Sequence, residues 1–218
     1  MPRTENITRP TKMEQFIRIQ KTARYFSEGN PDSGKLLIAL HGYGQLPQFF
    51  IRKFSTLYRD WHVVAPEGLH RFYINGNSGR VGASWMTKES RESDIEDNLG
   101  WIGQLVEHLT EEQAYNEIVL LGFSQGAATA ARYFYTGNHV INRLIIWASV
   151  FPPDIDKSHL FSRHSDSTEH TFVLGTHDQF FTETQQQEAH SFFRNLGFKT
   201  VSFEGNHDID EKTLEDIL

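Results

Sequence analysis

The stretch Ile118-Val119-Leu120-Leu121-Gly122-Phe123-Ser124-Gln125-Gly126 constrains this chain more than any other. Ile118–Leu121 is a short run of β-branched and aliphatic residues, as a strand covered on both faces requires. Glycines bracket Ser124, and Ala127–Tyr135 is strong helix-forming sequence. Strand, Gly-x-Ser-x-Gly and helix in that order predict a nucleophile elbow. The turn is so tight that side chains at Gly122 and Gly126 would strike the neighbouring strand and helix. Ser124 is then strained, its Oγ exposed and the helix N-terminus beneath it.

The flanking sequence supplies the rest of such a sheet. Leu36–Leu40 is a continuous apolar run ending in His41-Gly42-Tyr43-Gly44, which predicts a central strand with a Gly-rich loop at its carboxyl end. Val63–Pro66, Leu144–Ala148, Thr171–Leu174 and Thr200–Phe203 read as further short strands. Pro47–Tyr58, Ser93–Leu109, Glu183–Leu196 and Asp210–Leu218 carry helical spacing. Ser93 stands as an N-cap with Glu96 three residues on, the pattern of a capping box. Phe16–Gln20 alternates apolar with polar and predicts a half-exposed edge strand that could pair with Thr22–Phe26. Periodicity fails from Glu67 to Glu92 and again from Phe151 to Glu169, predicting two long loops of the kind that line a site. Strands alternating with amphipathic helices give an α/β fold: a mostly parallel sheet with helices on both faces and right-handed crossovers. At 218 residues, with no repeat or linker, the expectation is one domain over 1–218, of which 1–14 is a polar extension.

Composition removes several function classes. A net charge of −7 without any basic cluster argues against nucleic acid as a partner. The absence of cysteine excludes disulfides, thiolate metal sites and a Cys nucleophile. Eleven histidines invite a metal, but no HExxH or His-x-x-x-His pattern occurs, so none is expected. Met1–Glu14 lacks the apolar stretch of a signal peptide, and no run approaches the roughly 20 apolar residues of a membrane span. These features predict a cytoplasmic protein without stable membrane association. The oligomeric state, a homodimer included, is left open.

In a parallel sheet, ligands bind beyond the carboxyl ends of the strands. Four strand ends deliver useful groups there: His41–Gly44, Ser124–Gly126, Asp178 and His207. A serine hydroxyl is a poor nucleophile until a base stands beside it and a third group orients that base. His207 can supply the base and Asp178 the carboxylate, in the chain order Ser, Asp, His of α/β-hydrolases. Each has a rival reading. Asp178 could cap the helix that begins near Thr182, and Asp208 could compete as the acid, although its adjacency to His207 turns the two side chains apart. Asp156 and Asp166 read as solvated. His41 reads as a structural hydrogen-bonder of the Gly-rich loop, and His177 as pointing away from Asp178.

The motifs His41-Gly42-Tyr43-Gly44, Gly122-Phe123-Ser124-Gln125-Gly126, Gly175-Thr176-His177-Asp178 and Gly205-Asn206-His207 stand in an order that resembles the phospholipase/carboxylesterase family of small α/β-hydrolases, which includes acyl-protein thioesterases. The resemblance spans about Lys35 to the C-terminus. It implies a Ser124–Asp178–His207 triad and an oxyanion hole formed by the backbone N–H groups of Tyr43 and Gln125. Family members often carry an acidic residue after the His-Gly-x-Gly loop and a further glycine after the elbow, where this chain has Gln45 and Ala127.

The function expected is hydrolysis of a small-molecule ester or thioester through an acyl-Ser124 intermediate, with short to medium acyl groups and no cofactor. A lysophospholipase, an amidase or peptidase would use the same residues, and a catalytically silent relative would keep only the fold. Phe49, Phe50, Phe72, Tyr73, Trp85, Phe151, Phe180 and Phe181 surround the site-side loops. Trp85 and Phe180 are the two selected as walls of an acyl cleft, itself expected to be shallow and bounded by loops 67–92 and 151–169.

Overall fold

A computed structural model describes residues 13–155 and 170–218. Its frame is a seven-stranded sheet. In chain order, β1 is Tyr25–Gly29, β2 is Lys35–Leu40, and a short helix α1 (Pro47–Phe50) runs into a 3-10 segment at Ile51–Leu57. Then follow β3 (His62–Pro66), a hairpin of β4 (His70–Tyr73) and β5 (Val81–Ser84), and α2 (Arg91–Glu112). The second half holds β6 (Glu117–Phe123), α3 (Gln125–Thr136), β7 (Arg143–Trp147), β8 (Thr171–Gly175), α4 (Glu183–Asn195), β9 (Lys199–Phe203) and α5 (Glu211–Ile217).

The order across the main sheet is β1-β3-β2-β6-β7-β8-β9. All neighbours are parallel except β1, which runs antiparallel to β3. Leu36–Leu40 and Val119–Leu121 are fully buried residue after residue, so both sheet faces are covered, as parallel strands require. From β2 the chain first steps outward to β3 and later returns on the other side as β6. That change of direction is the topological switch point, where ligands bind in open α/β sheets. The register pairs Leu40 with Gly122, so the loop after β2 and the turn after β6 emerge side by side.

Three expectations are corrected. Phe16–Gln20 forms no strand, and Phe16, Ile17 and Ile19 are exposed. The edge position belongs to Tyr25–Gly29, and alternation without a neighbouring backbone to bond makes no strand. The stretch 67–92 contains the β4–β5 hairpin, with His70 opposite Ser84 and Tyr73 opposite Val81. Its Gly-rich connection hid the period. Helix α2 begins at Arg91, following Ser90 at φ 48°, so Ser93 lies inside it. Asp94 accepts the Thr87 N–H, and Glu96 pairs with Arg18 rather than closing a capping box.

Candidate active site

The elbow forms where the sequence predicts it. Ser124 holds φ 52° and ψ −119°, a strained conformation for a residue with a Cβ. Its N–H donates to Trp147 O at 2.9 Å, and its carbonyl accepts the Ala127 N–H at 3.0 Å. A Cβ at Gly126 would lie 2.4 Å from Leu40 O, and one at Gly122 would lie 2.3 Å from the Ala127 Cα. Backbone therefore presses on backbone from both sides of the serine, and only glycine fits. Helix α3 starts at Gln125, whose N–H is one of the donors that the first turn leaves unpaired.

The loops after β8 and β9 bring the other two groups together. Thr176 N–H donates to Phe203 O and His177 N–H to Gly205 O, both at 2.9 Å, which lashes the two loops side by side. Asp178 Oδ2 lies 2.6 Å from His207 Nδ1, and the Asp178 side chain is fully buried. Its Oδ1 accepts the Phe180 N–H at 2.9 Å. A carboxylate only accepts, so the His207 Nδ1 carries the proton and Nε2 is left as the acceptor. Phe123 and Phe180 flank the imidazole, with ring centroids 4.9 Å and 4.5 Å away. Ser124 and His207 line the same cleft.

The rival readings resolve on contacts. Helix α4 is capped by Thr182 in a capping box with Gln185, so Asp178 is not its cap. Asp208 faces away, paired with Lys53 at 2.6 Å, and its carbonyl accepts Trp147 Nε1–H at 2.9 Å. His177 is exposed. His41 is fully buried: Nδ1–H donates to Gly42 O at 2.8 Å and Nε2 accepts the Gly68 N–H at 3.1 Å. Burial pushes its pKa down to about 4, so the ring is neutral and braces the loop that follows β2. Asp156 and Asp166 lie outside the described residues. Tyr43 stands in that loop between Gly42, whose N–H donates to Gln45 Oε1, and Gly44, whose N–H donates to Ala83 O.

The cleft has a volume of about 640 Å³. Its apolar wall comes from Val150 and Phe151 after β7, Phe180 and Phe181 after β8, and Ala189, Phe192 and Phe193 of α4. Phe180 lines it, 67% exposed. Trp85 does not: it is fully buried, with Nε1–H donating to His41 O at 2.8 Å and its ring 5.0 Å from the His41 imidazole. An indole in a glycine-rich stretch suggested a pocket wall, but this one is a brace. Nor does loop 67–92 wall this cleft; helix α4 does, through residues whose spacing spoke only of packing.

Other contributors were not legible in advance. Arg132, buried on α3, donates two 2.7 Å hydrogen bonds to Asp154 and so fixes the segment carrying Phe151. These bonds, with a second contact from Arg91, hold the Asp154 carboxyl well below the usual carboxylate range. Buried Asn98 donates to Trp85 O at 2.7 Å. Long-range polar pairs of this kind leave no periodic signal in a sequence.

A mostly parallel sheet with a strained serine between strand and helix at its carboxyl edge defines an α/β-hydrolase. The chain belongs to the phospholipase/carboxylesterase family, whose model matches residues 25–218. A 1-acylglycerol-3-phosphate O-acyltransferase of Arabidopsis thaliana is 25% identical over 150 residues, which is 67% of this chain and 33% of that protein. The match thus spans about a third of the relative. Among solved structures, the Bacillus cereus carboxylesterase superposes with a TM-score of 0.60 at 14% identity, over 89% of this chain and 91% of its own. Arabidopsis thaliana SOBER1 does so with a TM-score of 0.63 at 18% identity, over 84% and 95%. At such identities these likenesses establish the fold. Family and fold together point to a carboxylesterase-like hydrolase. Among the described residues no helix is long and apolar enough to cross a membrane.

Proposed function

We propose that this protein is a serine hydrolase that cleaves small carboxylic esters of short to medium acyl length through an acyl-Ser124 intermediate. The observation that carries the reading is the 2.6 Å bond that His207 Nδ1–H donates to Asp178 Oδ2, with Ser124 and His207 on the wall of one cleft. His207 Nε2 takes the Ser124 proton as Oγ attacks the ester carbonyl. The tetrahedral oxyanion is met by the N–H groups of Tyr43 and Gln125, each worth about 3–4 kcal/mol at the transition state. His207⁺ then gives its proton to the leaving alcohol, and the freed imidazole draws one from water for deacylation. Asp178 holds the ring in the useful tautomer and stabilises its cation. No cofactor enters this cycle.

The acyl group would lie along Phe151, Phe180 and Phe192, in a cleft whose volume suits a small ligand. Each methylene covered contributes about 0.8 kcal/mol, roughly fourfold in kcat/KM. A series of p-nitrophenyl esters from acetate to palmitate should therefore climb at about that rate, peak at short to medium chains and gain little from micelles. A rise that continues to palmitate, or a jump at the micelle threshold, would refute the chain-length reading. Failure of every ester, with turnover of matched thioesters, would move the leaving group to sulfur.

A further inference from the structure

Residues 83–86 at the end of β5 touch both halves of the proposed oxyanion hole. On one side Ala83 exchanges backbone hydrogen bonds with the loop after β2: Gly44 N–H donates to Ala83 O at 2.9 Å, and Ala83 N–H donates to Gln45 O at 3.1 Å. Trp85 Nε1–H adds a third tie, to His41 O. On the other side the Gln125 side chain reaches into the same segment. Its Oε1 accepts the Trp85 N–H at 3.0 Å and lies 3.1 Å from Ser84 Oγ, and its Nε2–H donates to Met86 O at 2.8 Å. Reversing the amide would set two donors against the Trp85 N–H, so the network fixes its orientation. Ser84, Trp85 and Ala83 are buried, and in the interior each such bond is costly to break.

The residue whose backbone N–H is one oxyanion donor is thus bolted, through its own side chain, to the segment that holds the other donor's loop. The approach is also as close as backbone allows, since a Cβ at Gly82 would lie 2.5 Å from Gly44 O. We infer that the Gln125 side chain is a positioning residue, which sets the separation of the Tyr43 and Gln125 N–H groups by clamping residues 84–86. The inference rests on the proposed acyl-Ser124 chemistry. It accounts for a glutamine directly after the nucleophile: a shorter or apolar side chain there leaves the elbow intact but frees it from the strut. Preorganised donors contribute at the transition state rather than to substrate binding, so the side chain should act on kcat and leave KM alone.

The test uses Gln125→Met, which keeps the length and loses all the hydrogen bonds, and Ser84→Ala, which removes the hydroxyl that donates to Met86 O at 2.8 Å and lies 3.1 Å from Gln125 Oε1. Active enzyme is first titrated with a fluorophosphonate, so that turnover is expressed per labelled Ser124. For Gln125→Met, kcat for p-nitrophenyl butyrate should fall by at least about tenfold, with KM within about threefold. The inhibition constant of an alkyl boronic acid, whose serine adduct is tetrahedral, should rise by the same factor as kcat/KM falls. Ser84→Ala should move all three quantities in the same proportion but less, and it carries the test if Gln125→Met does not fold. A lowered melting temperature with unchanged kcat per labelled site and unchanged boronate affinity would overturn the positioning role. Wild-type enzyme that takes no label at Ser124 would instead overturn the chemistry on which the role rests.

Discussion

Replacing Asp178 by Asn changes one atom and exposes what the buried carboxylate contributes. In the native site Oδ1 accepts the Phe180 N–H and Oδ2 faces His207 Nδ1, so both oxygens meet donors. An amide can satisfy only one of them. If its oxygen keeps the Phe180 N–H, its NH₂ faces His207 and forces Nδ1 to accept, which puts the ring proton on Nε2, where it cannot receive the Ser124 proton. If the amide flips, the tautomer is restored but two donors oppose each other at a fully buried position. An unsatisfied buried donor costs about 1–3 kcal/mol. The lost anion also ceases to stabilise the imidazolium, worth roughly 4 kcal/mol for charges about 4 Å apart at an effective dielectric constant of 20. Together these terms come to about 5–7 kcal/mol, or a fall of about 5 × 10³ to 10⁵ in kcat. The reference behaviour of the Ser-His-Asp arrangement lies in that range. The assay is initial rates on p-nitrophenyl butyrate, with circular dichroism to verify the fold. An Asp178→Asn enzyme within tenfold of wild type would refute the assignment of Asp178 as the orienting acid.

Two further outcomes follow from burial. The His41 pKa is about 4 in the folded protein against an ordinary 6.5, so the unfolded chain binds the proton more readily between those values. Its contribution is complete above pH 6.5 and is lost as pH falls to about 4, about 3 kcal/mol in all, so urea unfolding of His41→Gln should show a shallower stability loss across that window than wild type. An equal loss in both proteins would remove His41 as the cause. Gly126→Ala places a methyl 2.4 Å from Leu40 O, backbone that cannot swing aside. It should cost more than about 3 kcal/mol of stability or prevent folding, and a variant with wild-type melting and turnover would contradict the elbow geometry.

The central strands and the elbow were readable because burial on both faces leaves unbroken apolar runs, as in Leu36–Leu40 and Ile118–Leu121. Ser124, Asp178 and His207 were readable as candidates because each lies just past the carboxyl end of a strand, buried for β6 and β8 and half-exposed for β9, and the parallel register brings those ends to one edge. Phe16–Gln20 misled because its alternation describes a strand face but supplies no partner backbone. The β4–β5 hairpin was hidden by four-residue strands with glycine in one of them, too short for a period of two to register. Trp85 and α4 exchanged roles for a related reason. Whether an aromatic side chain meets the core or a cleft depends on what lies opposite, and one chain position does not encode that. Gln125 was singled out for its backbone; the side-chain clamp to residues 84–86 joins segments about 40 residues apart, beyond the reach of any local pattern.

The central claim is that Ser124 is the nucleophile, activated by His207 and Asp178. The most direct test treats wild type, Ser124→Ala and His207→Gln with a fluorophosphonate and reads intact mass, then locates the adduct by peptide mapping. Wild type should carry one phosphonyl group per chain, on the peptide containing Ser124. Ser124→Ala should carry none, and on His207→Gln the adduct should form at least about 100-fold more slowly. A single adduct on any other residue, or equal labelling of Ser124→Ala, would contradict the assignment of Ser124 as the nucleophile.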